Sequence, residues 1–150
     1  MLLYRITRCI YANDLSGTGA RLYGGRWNNI GRAMLYLASS RSLATLEALV
    51  HLPTAIIPDD FCLVTIDVPE DIFVADIKLF PPNWNAHPEP DILKLTGDFF
   101  LKENKHLLMQ VPSAIVKEEF NYLLNPQHPK VSKVKVIKNE PFTFDKRLIV

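Results

Sequence analysis

The sequence predicts an α+β domain with a largely antiparallel β-sheet. Many short apolar or alternating runs of strand length follow one another along the chain, while only a few segments show the apolar spacing of a helix. These helical segments do not alternate regularly with the strands, which disfavours a parallel β-α-β fold. At 150 residues the chain has the length of one domain, and it shows no repeat or linker. We therefore expect a single domain over residues 1–150.

The first third of the chain contains two strand-like runs and one helix. The predicted segments are a strand over 2–7, a glycine-rich loop over 12–25, a strand over 33–38 and a helix over 40–52. In the second strand, Tyr36 points to the face opposite Leu35 and Leu37, so its ring is free to face a cleft or to pack in the core. Ser40 offers an N-cap oxygen to the helix, and a proline stops the helix after about Leu52.

The rest of the chain contains more strands and one further helix. A proline-rich stretch over 81–90 predicts a long surface loop, and 121–129 predicts a polar turn that Asn125 helps to shape. The other predicted segments are strands over 61–68, 107–111, 114–116 and 130–138, a helix over 91–104, and a last short strand at Phe142 and Phe144.

Arginine is concentrated at the start of the chain. Residues 1–46 hold six arginines, no lysine and the single acid Asp14, while the whole chain has a net charge of only +1. Guanidinium groups bind phosphate with two parallel hydrogen bonds, whereas a nucleic-acid-binding domain usually shows a basic excess throughout. The distribution favours a small phosphorylated ligand and disfavours direct nucleic-acid binding, although a solvated surface explains part of it equally well. Arg5, Arg8 and Arg21 are possible pocket residues without an assigned role.

Other sequence features exclude several classes of protein. Cys9 and Cys62 are too few for a disulfide framework, so we expect both to be reduced and buried. The four histidines show no ligand spacing, which predicts no metal site, and neither a Rossmann nor a P-loop motif is present. No apolar run approaches the ~20 residues of a membrane span, and Arg5 interrupts any signal-peptide core. We expect a cytoplasmic protein that does not contact a membrane.

Glu47 is the most informative single residue of the sequence. On a helical projection with Leu43 at the origin, Glu47 falls about 40° away, along the apolar stripe that also holds Leu46 and Val50. A carboxylate on an apolar stripe requires partners or a task, because its burial is otherwise unfavourable. The two interpretations are a structural ion pair with an arginine and a functional carboxylate.

The segment 24–28 forms a second cluster of candidate residues. Two glycines precede Arg26, so its guanidinium and the local backbone can approach a bulky anion, while Trp27 and Asn28 add a flat wall and an amide. The alternative is a tight turn whose tryptophan fills the core. Further along, Ser113 interrupts an apolar run and has no Gly-x-Ser-x-Gly context, which disfavours a hydrolase nucleophile.

These clusters together resemble the RES domain, the toxin component of bacterial RES–Xre toxin–antitoxin modules. The matching segments lie in family order and are 25–28 with Gly31, 36–40 with 43–47, 112–116, 121–129, and 144–148, where Lys146 replaces a frequent proline. The resemblance implies an ADP-ribosyltransferase-like fold with a split, mostly antiparallel sheet and flanking helices. It also implies NAD⁺ as the substrate, and a helix-turn-helix antitoxin of the Xre type that blocks the site. Monomer and homodimer are both left open.

The resemblance also implies roles for particular residues. Glu47 would stabilise the positive charge that develops on the ribose, and Arg26 would hold the pyrophosphate or the nearby ribose. Tyr36 would stack on nicotinamide, and Ser113 would orient Glu47 or the ribose. The implied substrate-binding residues are Arg26, Trp27, Asn28, Tyr36, Ser113 and Asn125.

Three functions remain open from the sequence. The first is an NAD⁺ glycohydrolase, the second a mono-ADP-ribosyltransferase that modifies a specific protein, and the third a binding module without turnover. Transferases often carry a second acid two positions before the catalytic one. Thr45 occupies that position here, which favours water as the acceptor.

Overall fold

The computed structural model describes residues 1–53 and 55–149. Seven strands form one sheet, and its strand order is β4-β5-β6-β2-β1-β3-β7. Every neighbouring pair is antiparallel except β4 and β5, which run parallel. The strands are Leu2–Arg8 (β1), Leu35–Ala38 (β2), Phe61–Asp67 (β3), Ile72–Val74 (β4), Leu108–Pro112 (β5), Phe120–Leu124 (β6) and Lys135–Phe142 (β7), and the helices are Thr18–Tyr23 (α1), Arg41–Leu49 (α2) and Asp91–Glu103 (α3).

The predicted fold class is confirmed, including the split in the sheet. β1 and β2 pair at a single position, where Tyr4 lies opposite Ala38. Beyond this pair the two strands diverge, so the sheet consists of a half with β4, β5, β6 and β2 and a half with β1, β3 and β7. The gap between the halves is where the cavity described below opens.

Helices α2 and α3 cover one face of the sheet, on either side of the gap. Leu43 and Ala44 of α2 pack with Ala38 and Leu63. Leu93, Phe100 and other residues of α3 pack over the opposite half, with Met109, Val111 and Leu123 beneath them. The register of the strands places Tyr36, Ala38 and Leu123 on this same face. The other face is closed by apolar residues of the loops, which include Ala12, Leu15, Val131 and Val134.

The start and end of the helices follow their capping residues. The backbone N–H of Leu43 donates to Oγ of Ser40 at 3.0 Å, as the predicted N-cap requires. Helix α3 ends at Asn104, whose φ of 52° lies in the left-handed region that asparagine tolerates at a helix end. The predicted strands over 2–7, 33–38 and 61–68 and the helix over 91–104 are confirmed to within about two residues.

Several predicted elements are wrong. The loop over 12–25 contains helix α1, and the segment 114–116 is a bend rather than a strand. Residues 120–124, which fall largely in the predicted turn, form β6 in the centre of one sheet half. The run 130–138 begins as a 3-10 helix over Pro129–Lys133 before β7 starts, and Phe144 lies beyond the end of β7. Strand β4 was not predicted, because its three residues are too short to show a period.

The expectation of two reduced cysteines is also wrong. Cys9 and Cys62 form a disulfide, and their Cα atoms lie 4.9 Å apart. The antiparallel pairing of β1 with β3 places Thr7 opposite Cys62, and a 3-10 helix that begins at Cys9 follows β1 directly. The 53 residues between the two cysteines conceal this proximity in the sequence. Of the pair, Cys62 is buried, as predicted.

Candidate active site

A cavity of about 880 Å³ opens between β1, β2 and α2. This volume lies within the range of small-molecule and cofactor sites. Glu47, Tyr36 and Arg26 all line it, so the structure brings together three of the four residues that the sequence singled out as catalytic. The rest of the wall includes residues of β1, of the end of α2 and of the proline-rich loop, together with Asn121 of β6.

Glu47 is held over the gap by two hydrogen bonds to one oxygen. Oγ of Ser113 donates to Oε1 at 2.8 Å, and Nδ2 of Asn121 donates to the same oxygen at 2.7 Å. Among the described residues, Oε2 accepts no hydrogen bond, and Glu47 is half-buried in the cavity wall. Glu47 lines the cavity and Leu43 is buried, as the helical projection predicts, whereas Val50, which the projection placed on the same stripe, is 56% exposed.

Ser113 supports Glu47 from behind and is not part of the cavity surface. It is 4% exposed, and its Oγ accepts hydrogen bonds from the backbone N–H groups of Ile115 and Val116 at 3.1 and 3.0 Å. A serine hydroxyl has one proton to donate, and here that proton is directed to Glu47. This geometry orients a carboxylate and leaves the hydroxyl poorly placed as a nucleophile.

Tyr36 is a neutral phenol whose ring forms part of the wall. Its Oη donates to Oδ1 of Asn28 at 2.6 Å and accepts from the backbone N–H of Trp27 at 3.1 Å. Burial is the main cause that raises the pKa of Tyr36 far above its ordinary value, and the charges of Glu89 and Asp98 act in the same direction. The ring is therefore fixed at its tip and presents its body to the cavity.

Gly25 is required by this close packing. A Cβ at this position would lie 2.6 Å from Oη of Tyr36 and 3.0 Å from Oδ1 of Asn28. Both distances fall at or below the closest approach of real Cβ atoms, so a side chain would displace the tyrosine. Gly25 therefore leaves room for the ring of Tyr36 inside the protein, as well as for any ligand that approaches Arg26.

The guanidinium of Arg26 is bound to the protein through one nitrogen, and Arg26 also lines the cavity. Its Nη1 donates to the carbonyl oxygens of Trp84 and Ala86, both at 3.0 Å, and this attaches the proline-rich loop to the segment 24–28. Its Nε and Nη2 make no hydrogen bond to the described residues. The loop in turn places Asn85, His87 and Glu89 in the cavity wall.

Two more arginines line the cavity from β1. Nη2 of Arg5 donates to the carbonyl oxygens of Tyr11 and Asp14 at 2.6 and 2.7 Å, whereas Arg8 forms an ion pair with Asp60. Burial lowers the pKa of Arg5, against the opposing charge of Asp14. Nε of Arg5 is buried and has no partner among the described residues.

A family model described as the RES domain matches residues 2–145 of the chain. The chain belongs to the RES domain family. It is 44% identical over 153 residues to "Toxin Res" of Photorhabdus laumondii, covering 99% of this chain and 97% of that protein. It is 40% identical over 146 residues to the "Prs ADP-ribosylating toxin" of Sphingobium sp., covering 95% of this chain and 91% of that protein.

A solved structure supports the same fold. The M. tuberculosis MbcT–MbcA toxin–antitoxin complex contains a chain that matches this RES domain with a TM-score of 0.77 and 19% identity. The match covers 95% of this chain and 84% of that one. At this identity the likeness shows the fold alone.

The other candidate residues of this RES domain lie in or behind the walls. The ring of Trp27 packs in the core against Phe80, with ring centroids 5.3 Å apart, although Trp27 also contributes to the lining. Asn28 is fully buried, and its Nδ2 donates to the carbonyl oxygens of Ala20 and Arg32, so it positions Tyr36 and the loop. Neither interpretation of segment 24–28 excludes the other, since the same segment fills the core and borders the cavity.

Asn125 is not brought to the cavity. It is 2% exposed, and its Nδ2 donates to Oδ1 of Asn104 at 2.8 Å. Its Oδ1 accepts from the backbone N–H of Gln127, which confirms that it shapes the turn after β6. His128 also acts locally, because its Nδ1 accepts from the backbone N–H of Lys130.

The sequence interpretation missed Asn121 and the row of cavity residues on the proline-rich loop. Asn121 fell in a predicted turn, although the apolar run of Tyr122 to Leu124 that follows it is typical of a strand. Within residues 1–53 and 55–149, no group of three or more His, Cys, Asp or Glu side chains is placed to hold a metal ion. In the same residues, no helix has the length and apolar character of a membrane span.

Proposed function

We propose that this RES domain is the toxin of a toxin–antitoxin module and that it cleaves the nicotinamide–ribose bond of NAD⁺. The observation that carries the proposal is a cavity lined by a carboxylate, Glu47, an arginine and a tyrosine, in which two donors fix one oxygen of the carboxylate. Family membership and the toxin names of its relatives support the same conclusion.

Glu47 is the group suited to the bond-breaking step. As the C–N bond breaks, its electron pair goes to the nicotinamide nitrogen, which becomes neutral, and positive charge develops on the ribose. A carboxylate fixed before the reaction stabilises that charge without reorganising. Oε2 of Glu47 is the oxygen left for this role and for a ribose hydroxyl, because Oε1 already accepts from Ser113 and Asn121.

The other cavity residues bind and orient the substrate. Arg26 keeps Nε and Nη2 unpaired in the part of the chain that the structure describes, and these nitrogens would hold the pyrophosphate of NAD⁺. The ring of Tyr36 offers a flat surface for nicotinamide. Nicotinamide leaves as a neutral amide-substituted pyridine, so the step requires no strong general acid.

Water is the acceptor that we favour. It adds to the ribose carbon and loses a proton, so NAD⁺ and water give nicotinamide, ADP-ribose and H⁺. Oγ1 of Thr45 donates to the carbonyl oxygen of Arg41 within its own helix, so the position where a transferase often has a second acid offers no free acceptor-activating group. Loss of NAD⁺ from the cytoplasm would then arrest the growth of the cell.

ADP-ribosylation of a protein is the second candidate. The observation that favours it is the similarity to the Sphingobium protein named "Prs ADP-ribosylating toxin", whose name offers Prs as the acceptor protein to test. The bond that breaks is the same, and a side chain of the acceptor replaces water. The same cavity residues would serve both reactions.

One experiment separates these functions. Purified protein is incubated with NAD⁺ labelled in the adenylate part, with and without Prs as acceptor, and both nicotinamide release and protein-bound label are measured. The variants are Glu47→Gln and the matched surface control Glu118→Gln. Release without acceptor in the wild type and the control, but not in Glu47→Gln, supports hydrolysis. Label on Prs supports transfer, whereas folded wild-type protein that releases no nicotinamide under either condition contradicts both and leaves a binding module.

An antitoxin partner is part of the proposal. The fold neighbour was solved as a toxin–antitoxin complex, and the family resemblance points to a helix-turn-helix antitoxin of the Xre type. We expect a helix-turn-helix gene beside the gene of this protein, and its co-expression should restore growth and suppress nicotinamide release in a bacterial host. Growth arrest that persists at normal antitoxin levels would contradict an antitoxin that blocks the cavity.

A further inference from the structure

The proline-rich loop and helix α3 hold the backbone next to Arg26 through a second charged contact. Nζ of Lys94 donates to the carbonyl oxygen of Gly25 at 2.7 Å and to Oε1 of Glu89 at 2.8 Å. Both side chains are largely buried, with 22% of Lys94 and 19% of Glu89 exposed. Lys94 therefore joins the loop, α3 and the arginine segment at one point.

Glu89 places a negative charge in the cavity wall beside Arg26. The hydrogen bond from Lys94 is the main cause that lowers the pKa of Glu89, and the charges of Lys94 and Arg26 add to it. Glu89 lines the same cavity as Arg26 and Tyr36, and Lys94 links its Oε1 to the carbonyl oxygen of Gly25, the residue directly before Arg26. Glu89 is thus an ionised group within electrostatic reach of the guanidinium that is left for an anionic ligand.

An unpaired carboxylate at this place would compete with the substrate. Nε and Nη2 of Arg26 are the guanidinium nitrogens that the loop carbonyls do not use. Carboxylates bind guanidinium in the same forked geometry as phosphates do. Lys94 removes this competition, because its ammonium holds Glu89 at 2.8 Å.

We propose that Lys94 is a positioning residue that holds Glu89 away from Arg26 and so keeps the guanidinium available to the pyrophosphate of the substrate. The proposal rests on the proposed function for the identity of the ligand, but it concerns binding and does not require turnover. Lys94 and Glu89 act through Arg26 and need not touch the reacting atoms.

A double-variant experiment tests the proposal with ADP-ribose, which carries the pyrophosphate but no scissile nicotinamide bond. Dissociation constants are measured by calorimetry for wild type, Lys94→Met, Glu89→Gln and the double variant Lys94→Met/Glu89→Gln. Lys102→Met, an exposed lysine on the same helix, is the matched control. Thermal midpoints are recorded for every variant, and nicotinamide release from NAD⁺ is measured in parallel.

We expect Lys94→Met to weaken ADP-ribose binding by about tenfold, since it frees one full charge to compete for Arg26. Removal of the Glu89 charge in the double variant should restore most of the lost affinity for ADP-ribose, although the contact to the Gly25 carbonyl is still missing. If Lys94 only stabilised the local structure, removal of the Glu89 charge would not restore ADP-ribose binding. A double variant that binds ADP-ribose as weakly as Lys94→Met therefore overturns the proposal. Wild-type protein that does not bind ADP-ribose also overturns it, whereas normal binding and rescue without nicotinamide release contradict only the proposed function.

Discussion

Substitution of Asn121 by alanine tests whether the fixed orientation of Glu47 matters for turnover. Nδ2 of Asn121 lies 2.7 Å from Oε1 of Glu47 and is one of the two donors to that oxygen. The substitution removes this donor and leaves the hydrogen bond from Ser113. Because Asn121 donates to Oε1 and leaves Oε2 to the substrate, its loss should affect the bond-breaking step more than substrate binding.

The magnitude follows from the kind of hydrogen bond. A hydrogen bond to a charged group contributes roughly 1.5–3 kcal/mol. If most of this contribution is realised in the transition state, kcat falls by about 10- to 150-fold, since each 1.36 kcal/mol corresponds to tenfold in rate. KM should change by no more than about threefold, which corresponds to under 1 kcal/mol of binding energy.

The assay is steady-state nicotinamide release, with Asn121→Asp and Asn139→Ala as companion variants. Asn121→Asp replaces a donor by a second carboxylate next to Glu47, so we expect a larger loss of kcat than for alanine. Asn139 is an exposed strand residue of β7, and its alanine variant should behave like the wild type. A kcat for Asn121→Ala within twofold of the wild type, with an unchanged thermal midpoint, would refute the role assigned to this hydrogen bond.

Three further predictions concern stability and packing. Reduction of the disulfide between Cys9 and Cys62 should lower the free energy of unfolding by up to about 4 kcal/mol, the value for a 53-residue separation in the chain-entropy treatment, as measured by denaturant titration with and without dithiothreitol. Gly25→Ala should lower nicotinamide release at least tenfold, because its Cβ would displace Tyr36, and a normal rate would contradict the packing. Gly97→Ala should destabilise the fold by roughly 3 kcal/mol, since its Cβ would lie 1.6 Å from a backbone carbonyl oxygen, and an unchanged unfolding midpoint would show that the helix does not approach so closely.

The elements that the sequence predicts well are those with a long periodic signal. Strands β1 and β3 have seven residues each and α3 has thirteen, so their apolar patterns repeat often enough to be recognised in the sequence. Helix α1 has six residues and follows Gly17, and its apolar stripe is too short to be distinguished from a glycine-rich loop. Strand β6 was missed because Asn121 and the later prolines suggested a turn, whereas tertiary pairing with β2 and β5 makes it a central strand.

The candidate site divides in the same way. The helical projection places Glu47 correctly because its neighbours on α2 alone determine which side it faces. The strand alternation likewise places Tyr36 opposite Leu35 and Leu37, which pack in a different core cluster. The substrate-binding role of Asn125 rested on the family motif alone, and the structure places this residue in a buried turn.

The sequence does not reveal the groups that fix the orientation of the charged side chains Glu47 and Arg26. Oε1 of Glu47 is bound by a serine 66 residues away and an amide 74 residues away, and Nη1 of Arg26 is bound by two carbonyl oxygens about 60 residues away. These partners are neutral side chains and backbone atoms, which carry no distinctive pattern along the chain. Each charged group nevertheless has one part fixed by the protein and another part facing the cavity. This division allows a site to stabilise developing charge without reorganising, because the orientation is established when the chain folds.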